Sequence, residues 1–534
     1  MTEFPWLSVL AGLPLLGAVV LGCLPRGTAR LAPAMALGVS LATLGVGIVV
    51  ALLFDPDAAG FQLSEQYDWI PALGASYAVG VDGIGLTLVL LTVVLSPVVI
   101  LASWRDGEGG RWSANAFFAW MLGLEGLAIG VFAATDVLLF YVFFEATLIP
   151  IYFLIGGYGG AYGGAVERAR EGTQRSYAAV KFLLYSLVGG LLMLASVVGL
   201  YVVSADEAAP GEGPSYLFTD LVQLPMDETV GRLLFLGFFV AFAVKAPMFP
   251  FHTWLPDAAA SATPGTSVLL VSILDKIGTF GMIRFCLGLF PEASQWASPV
   301  VIVLAVVSIL YGALVAIGQS DIRRLVAYTS VSHFGFIVLG VFVFTAQGGS
   351  GATLYMFNHG LSTAALFLVT GMLIQRGGSA RIDGYGGVQK VAPVLAGTFL
   401  VAGLSSLSLP GLSPFVSEFL VLAGTFRVSV VAAVFATLGI VLAALYILIM
   451  YQRTMNGPLN ARSMAVPDLR ARERLVLAPL LALILVLGFY PQVLLEVIDP
   501  AVGATLEQVG VEQPEPDVPV SEASNPTGVA GSRS

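Results

Sequence analysis

The chain has 534 residues, of which 57% are apolar and 11% are charged. Soluble domains carry roughly 25% charged residues, so this composition excludes an ordinary soluble protein. The net charge of −10 does not indicate an acidic binding surface, because the acidic residues concentrate in a few loops and near the C-terminus. The two cysteines stand alone without a CxxC motif, which excludes a disulfide framework and argues against an iron–sulfur cluster or a structural zinc site.

Apolar runs long enough to cross a bilayer, about 20 residues each, recur along almost the whole chain. Proline, glycine and charge clusters divide them into about fourteen spans, which predicts an all-α polytopic membrane protein. The first run has no basic residue before it and is expected to be a span, not a cleaved signal. In chain order the spans are predicted at 6–24, 31–53, 84–103, 113–132, 136–156, 178–203, 232–260, 266–290, 298–318, 323–345, 352–376, 393–427, 430–452 and 472–498.

Basic residues in the loops predict how these spans are oriented. Loops after odd-numbered spans contain seventeen Arg or Lys residues, whereas loops after even-numbered spans contain Arg232 and Arg427 alone. Since cytoplasmic loops are enriched in Arg and Lys, both termini are predicted to lie outside the cytoplasm. The segment 503–534, with Pro-Glu-Pro-Asp followed by Ser, Gly and Asn, is predicted to be a disordered acidic tail.

The seventh and twelfth predicted spans are unusually long and contain prolines near their middle. Proline lacks a backbone donor, so both helices are predicted to be discontinuous, although a simple kink is the alternative. The breaks are expected at Pro247 and Pro250 in the seventh span and at Pro410, Gly411 and Pro414 in the twelfth.

The two broken spans share a Pro-Phe pattern and are five spans apart, so they would run in opposite directions. This pattern is typical of inverted repeats in ion-transport folds. The predicted organisation is helices 1–3 at 1–112, a first five-helix repeat (helices 4–8) at 113–290, a second inverted repeat (helices 9–13) at 298–455, and helix 14 at 472–498.

Lys245 and Lys276 lie inside spans, although the chain has only four lysines against twenty arginines. Ionisable residues at mid-membrane depth are costly and usually functional. Arginine keeps its charge, whereas a buried lysine can lose its proton, so the two lysines indicate proton handling. Lys245 is thirteen residues beyond Arg232, about 20 Å at about 1.5 Å per residue, and cannot reach either surface. Glu145 also lies mid-span. If it is close to Lys245, the pair keeps both side chains charged, and separating the two favours the neutral form of the lysine. The alternative is a static salt bridge between them.

A carboxylate follows the break in the twelfth span. Glu418 lies within about a turn of the new helix start, where the positive end of the helix dipole suits a negative charge. Ser413 is the expected N-cap of this half-helix.

The three histidines, His252, His333 and His359, all lie in or against predicted spans, and histidine suits a proton relay. For each of them a satisfied core position is an equal alternative, and haem ligation by His333 and His359 is a further one. Asp257, near the end of the seventh span, is a secondary candidate that could equally be a structural cap.

Several segments resemble a known family. They are LFYVFFEATLIP at 139–150, KAPMFPFHTWLPDA at 245–258, RRLVAYTSVSH at 323–333 and FNHG at 357–360. They are similar to the antiporter-like subunits of respiratory complex I and of Mrp sodium/proton antiporters, over roughly 84–455. Glu418 stands where the L and N subunits of complex I usually carry lysine. The long loop at 159–176 and the tail after 503 depart from the family pattern and are expected contacts for other subunits.

The resemblance implies a role for each candidate. Glu145 and Lys245 would form a paired switch, and Lys276 would be the central lysine. His333 and His359 would relay protons towards Glu418, the terminal carboxylate. His252 and Asp257 remain secondary candidates.

The resemblance also implies the partners. The chain is expected to be a proton-translocating subunit of NADH–quinone oxidoreductase in a bacterial cytoplasmic membrane, beside L-type and N-type antiporter-like subunits. It is expected to hold no cofactor itself, with NADH, FMN, iron–sulfur clusters and quinone in partner subunits, and to bind no nucleic acid. An Mrp-type antiporter subunit, a membrane subunit of an energy-converting hydrogenase and a scaffold without transport are the alternatives.

Overall fold

The computed structural model describes residues 4–58, 60–108, 110–159, 165–207 and 213–511. Helices dominate this part of the chain. Its first half contains α1 (Trp6–Cys23), α2 (Ala32–Leu53), strands β1 (Gln62–Ile70) and β2 (Ala75–Val81), α3 (Gly83–Ala102), α4 (Ala114–Ala133), α5 (Val137–Ala146), α6 (Leu148–Tyr158), α7 (Ala165–Glu207), α8 (Phe218–Leu221), α9 (Glu228–Lys245) and α10 (Leu255–Ser261).

The second half continues without strands among the described residues. Its helices are α11 (Pro264–Val268), α12 (Asp275–Gly281), α13 (Pro291–Ile317), α14 (Ile322–Phe342), α15 (Ala346–Gly377), α16 (Pro393–Ser406), α17 (Ser413–Val428), α18 (Val430–Met455), α19 (Ala461–Met464), α20 (Ala471–Phe489) and α21 (Gln492–Val509). Two π-helical turns, Leu269–Leu274 and Met282–Leu287, flank α12 and join with α11 into one long helical stretch.

The centre of the bundle is formed by the stretch Pro264–Leu287 and by α14 and α15. In the most apolar segment of each helix, all residues of Pro264–Leu287 and of α15 and 94% of the residues of α14 are buried. The corresponding shares are 33% for α1 and 28% for α2. Helices that are apolar on all sides are stable only when other helices cover them. Charged side chains on these central helices are therefore shielded from lipid.

Both predicted helix breaks are present. α9 ends at Lys245, and the chain passes through Pro247 and Pro250 before a 3₁₀ turn leads into α10. α16 ends at Ser406, and the next helix, α17, begins seven residues later. Gly411 has a φ of 91° in this second break, a conformation that glycine adopts without strain.

Pro414 contributes differently from the other prolines. It is the second residue of α17, where a missing backbone N–H leaves no helix hydrogen bond unmade. Pro414 thus starts the second half-helix, whereas Pro410 and Gly411 lie in the break itself.

Among the described residues, eleven helical stretches are long and apolar enough to cross a membrane, or twelve if the bent pair α20 and α21 forms one span. The two broken spans are outside this count. α16 and α17 are each too short, and α9 carries Glu228, Arg232 and Lys245 within its eighteen residues.

The C-terminal helix differs from the predicted single span at 472–498. α20 ends at Phe489, and α21 leaves it at an angle of 69°. Pro491 explains the break, because the residue before a proline is driven out of the helical region. α21 packs on α3 and α15, and Ser350 Oγ donates to Asp499 Oδ1 at 2.6 Å. Residues 503–509, predicted to begin the tail, are the end of this helix.

A β-hairpin between α2 and α3 was not predicted. β1 and β2 are antiparallel, with Tyr67 opposite Tyr77, and Glu65 Oε1 accepts a hydrogen bond from Leu7 N at 2.7 Å near the start of α1. The hairpin is held from the other side by Asp136, whose Oδ2 accepts from Ser76 N at 2.9 Å. Residues 160–164 of the long loop and the tail beyond residue 511 lie outside the described residues.

Candidate functional site

The first break places Lys245 in the interior. It is the last residue of α9, its side chain is 1% exposed, and its Nζ donates to Thr147 Oγ1 at 3.2 Å. The Thr147 hydroxyl donates its own hydrogen bond to Phe144 O at 2.7 Å, which leaves its oxygen free to accept one from Lys245. The ammonium also lies 4.9 Å from the ring centre of Phe144 and 5.9 Å from that of Phe182, both favourable for a cation.

The predicted ion pair between Lys245 and Glu145 is not formed in this structure. Glu145 is half-buried, and its Oε1 has no hydrogen-bond partner among the described atoms. The carboxylate lies against Gly190 of α7, where a Cβ would overlap Oε1. Lys245 reaches the same turn of chain, because its partner Thr147 lies two residues beyond Glu145.

Lys276 is the second residue of α12. Its Nζ donates to Val271 O at 2.7 Å, lies 2.6 Å from His359 Nδ1, and is 4.8 Å from the ring centre of Phe334. Val271 belongs to the π-helical turn before α12, and such turns recur at functional sites.

His359 is held on both ring nitrogens. Because Nδ1 faces the Lys276 ammonium, it must be the acceptor, and Nε2 then carries the proton and donates to Thr363 Oγ1 at 3.1 Å. A neutral imidazole of this tautomer can take a proton from Lys276 on one side and release one on the other.

From His359 the polar groups continue to the second break. The His333 ring lies 5.1 Å from the His359 ring and 5.9 Å from the Tyr355 ring, centre to centre. Tyr355 OH donates to Glu418 Oε1 in a short hydrogen bond. We call Lys245, Lys276, His359, His333, Tyr355 and Glu418 together the buried polar line.

Tyr355 was missed by the sequence reasoning. It lies four residues before His359 on α15, so the two side chains share a helix face. That spacing is the signal in the sequence, but an interior tyrosine is common enough that only the contact with Glu418 reveals its place.

The predicted cap at Ser413 is wrong. Leu412 is the N-cap, and Ser413 is already the first residue of α17, so its hydroxyl has no hydrogen-bond partner among the described atoms. Asn358 instead fixes this helix start, donating to Ser413 O at 2.8 Å and to Ser417 Oγ at 2.9 Å.

The two secondary candidates contact residues that do not belong to the buried polar line. His252 is buried with both ring nitrogens unpartnered among the described atoms, and its ring packs 4.9 Å from that of Tyr311. Asp257 forms salt bridges with Lys181 at 2.7 Å and Arg324 at 2.5 Å, which ties α10 to α7 and α14.

Haem ligation by His333 and His359 does not fit the geometry. Their rings meet edge to face at 5.1 Å, leaving no space for a porphyrin between them. Among the described residues, no group of three or more His, Cys, Asp or Glu side chains is arranged to hold a metal ion.

The fold and the buried polar line define an antiporter-like membrane subunit, and the comparisons with known proteins agree. Residues 134–444 match the family described as NADH:quinone oxidoreductase/Mrp antiporter, TM. A Mycobacterium tuberculosis protein named NADH-quinone oxidoreductase subunit M is 50% identical over 97% of this chain and 97% of its own length. Subunit M of Rhodobacter capsulatus is 39% identical over 93% of this chain and 95% of its own.

A solved structure gives the same answer. A chain of respiratory complex I from Thermus thermophilus with bound NADH matches with a TM-score of 0.83 and 32% identity, over 95% of this chain and 100% of that chain. The chain belongs to the NADH-quinone oxidoreductase subunit M family.

Proposed function

We propose that this chain translocates protons in the membrane arm of NADH–quinone oxidoreductase, with the buried polar line as its path. The observation that carries the proposal is the run of titratable side chains through the most deeply buried helices, from Lys245 at one helix break to Glu418 beyond the other. Buried ionisable groups without a functional role are rare in membranes because each is costly.

The proposed architecture has fourteen spans, obtained by adding the broken spans α9–α10 and α16–α17 to the twelve of suitable length and composition. Residues 113–290 and 298–455 would be inverted repeats, with helices 1–3 before them and helix 14 after them. The excess of basic residues in alternate loops supports an orientation with both termini outside the cytoplasm. The membrane would be a bacterial cytoplasmic membrane.

The proposed cycle begins at the first break. With Glu145 ionised and close, Lys245 keeps its proton; withdrawal or protonation of Glu145 removes that stabilisation, and Lys245 releases the proton into the line. Lys276 and His359 exchange it across their 2.6 Å contact, and it leaves through His333, Tyr355 and Glu418. Moving one charge against 100 mV costs about 2.3 kcal/mol, so each transfer needs energy from the redox reaction.

The redox chemistry belongs to the partners. NADH, FMN, iron–sulfur clusters and quinone would be bound by other subunits of the complex, and the neighbours in the membrane would be the L-type and N-type antiporter-like subunits. The family match alone also includes Mrp antiporters. The relatives named as subunit M favour the complex I assignment.

Purification of the tagged chain from its own membranes tests this proposal. The expected result is co-purification of NADH:quinone oxidoreductase activity, together with loss of that activity from membranes when the gene is deleted. Sodium/proton exchange by the purified assembly without NADH oxidation would contradict the proposal and support an Mrp-type subunit. Hydrogenase activity in the preparation would support the energy-converting hydrogenase alternative.

The contact between Glu145 and Gly190 gives a prediction about the switch. Gly190→Ala should lower proton flux several-fold, because the new Cβ would overlap Oε1 and push the carboxylate from its position. Flux per assembled complex measures the effect. Adding Glu145→Asp to Gly190→Ala should restore part of the lost flux, because the aspartate side chain is one methylene shorter.

Gly45→Ala is the matched control for Gly190→Ala. It lies in α2 with nothing within 4 Å of the added Cβ, so flux should stay at the wild-type level. Equal flux in Gly190→Ala and Gly45→Ala would show that the carboxylate position is unimportant.

A further inference from the structure

One buried carboxylate in the centre of the bundle is not among the predicted site residues. Asp275 is the first residue of α12, its side chain is 0% exposed, and neither oxygen has a hydrogen-bond partner among the described atoms. A buried carboxylate without hydrogen bonds is expensive and is tolerated only where neighbouring charges or a function compensate for it.

The packing of α12 shows which way Asp275 faces. At Gly278, one turn further on, a Cβ would lie 2.5 Å from Ala246 N and 2.6 Å from Phe242 O, so this face of the helix presses on the end of α9. Residues three apart share a helix face, so Asp275 lies on the side of α12 that faces the same break.

Lys276 points to a different side. As the next residue it is turned about 100° around α12, and its Nζ reaches His359 on α15. Asp275 thus faces the end of α9 that carries Lys245, whereas Lys276 faces His359. Without such a group the buried polar line, as its described residues define it, passes directly from Lys245 on α9 to Lys276 on α12.

We propose that Asp275 is a proton carrier between Lys245 and Lys276, an inference that rests on the proposed function. In the first step the Lys245 ammonium gives a proton to the carboxylate, leaving a neutral amine and a carboxylic acid. In the second step the acid gives that proton to a neutral Lys276, which restores the carboxylate and forms an ammonium. Since neither lysine is hydrogen-bonded to Asp275 here, each step requires a side-chain movement or an intervening water molecule.

The substitution that tests this role is Asp275→Asn, which keeps the shape and removes the site for the proton. The assembled complex should lose at least about tenfold in proton flux, since a positioned proton-transfer group typically contributes about 10²-fold or more. Asp275→Glu retains a carboxyl group and should recover a substantial part of the flux. Wild-type flux in an assembled Asp275→Asn complex would overturn the proposal.

Glu125→Gln is the matched control. Glu125 is also buried, at 1% exposed, but it lies on α4 and accepts a hydrogen bond from Ser40 Oγ at 2.9 Å, which the amide oxygen of glutamine can retain. Proton flux in the Glu125→Gln complex should stay near the wild-type level. A loss equal to that of Asp275→Asn would show that any buried carboxyl is needed for stability, and would overturn the specific role.

Infrared difference spectroscopy during turnover separates a carrier from a fixed counter-charge. A carrier becomes a carboxylic acid transiently, so a C=O band should appear in the wild type, shift in Asp275→Glu and be missing in Asp275→Asn. A counter-charge stays ionised and gives no such band. If Asp275→Asn does not assemble, an unshifted band in Asp275→Glu overturns the proposal. Absence of NADH-driven flux in the wild-type complex would instead refute the proposed function.

Discussion

Lys245→Arg should assemble at the wild-type level and lose at least about tenfold in proton flux per assembled complex. The substituted side chain would keep the positive charge and the attraction to the rings of Phe144 and Phe182. It would not release a proton, because the pKa of a guanidinium lies far above the working pH range. Flux is measured in membrane vesicles, normalised to the amount of complex.

Lys390→Arg is the control for Lys245→Arg. Lys390 is exposed in the loop before α16, so its substitution should change neither assembly nor flux. Lys276→Arg should resemble Lys245→Arg with a smaller loss. If Lys245→Arg assembles normally and has normal flux, Lys245 supplies only a fixed positive charge and does not transfer protons.

Glu145→Gln should reduce both proton flux and NADH-driven quinone reduction by about tenfold or more while the complex stays intact. Glutamine has nearly the size of glutamate and fits beside Gly190, but it carries no charge to act on Lys245. The rates of NADH oxidation and proton flux, recorded on one vesicle preparation, measure the effect.

A structural role for Glu145 predicts a different pattern. Glu228 is exposed at the start of α9, so Glu228→Gln serves as a control for loss of one negative charge. If Glu145→Gln pumps as well as Glu228→Gln at equal complex content, the carboxylate of Glu145 is not a switch.

Much of the fold could be predicted because its signals are local. Runs of apolar residues gave the spans, and prolines near the middle of two of them gave the breaks after Lys245 and Ser406. The turn at Pro491 was missed because the apolar pattern continues across it into α21. The hairpin was missed because its strands are stabilised by distant groups, such as Asp136 at the start of α5.

The candidate site could be predicted in part, for a related reason. A charged residue inside an apolar run is conspicuous, so Lys245, Lys276 and Glu418 stand out in the sequence. Tyr355 does not, because it is uncharged. Asp275 is as conspicuous as Lys276, but the direction in which it faces depends on how separate helices pack against one another. The absence of a salt bridge between Glu145 and Lys245 is likewise a matter of packing, because Glu145 lies against Gly190 and Lys245 donates to Thr147.

The most direct measurement of the central claim records the pH gradient and NADH oxidation together in everted vesicles containing equal amounts of wild-type or Lys245→Arg complex. NADH is added to start the reaction, and an uncoupler is added at the end to show that the gradient is real and the vesicles are sealed. The buried polar line as proton path predicts an initial acidification rate in Lys245→Arg that is about one tenth of the wild-type rate or less. An acidification rate equal to that of the wild type, at equal NADH oxidation, would contradict it.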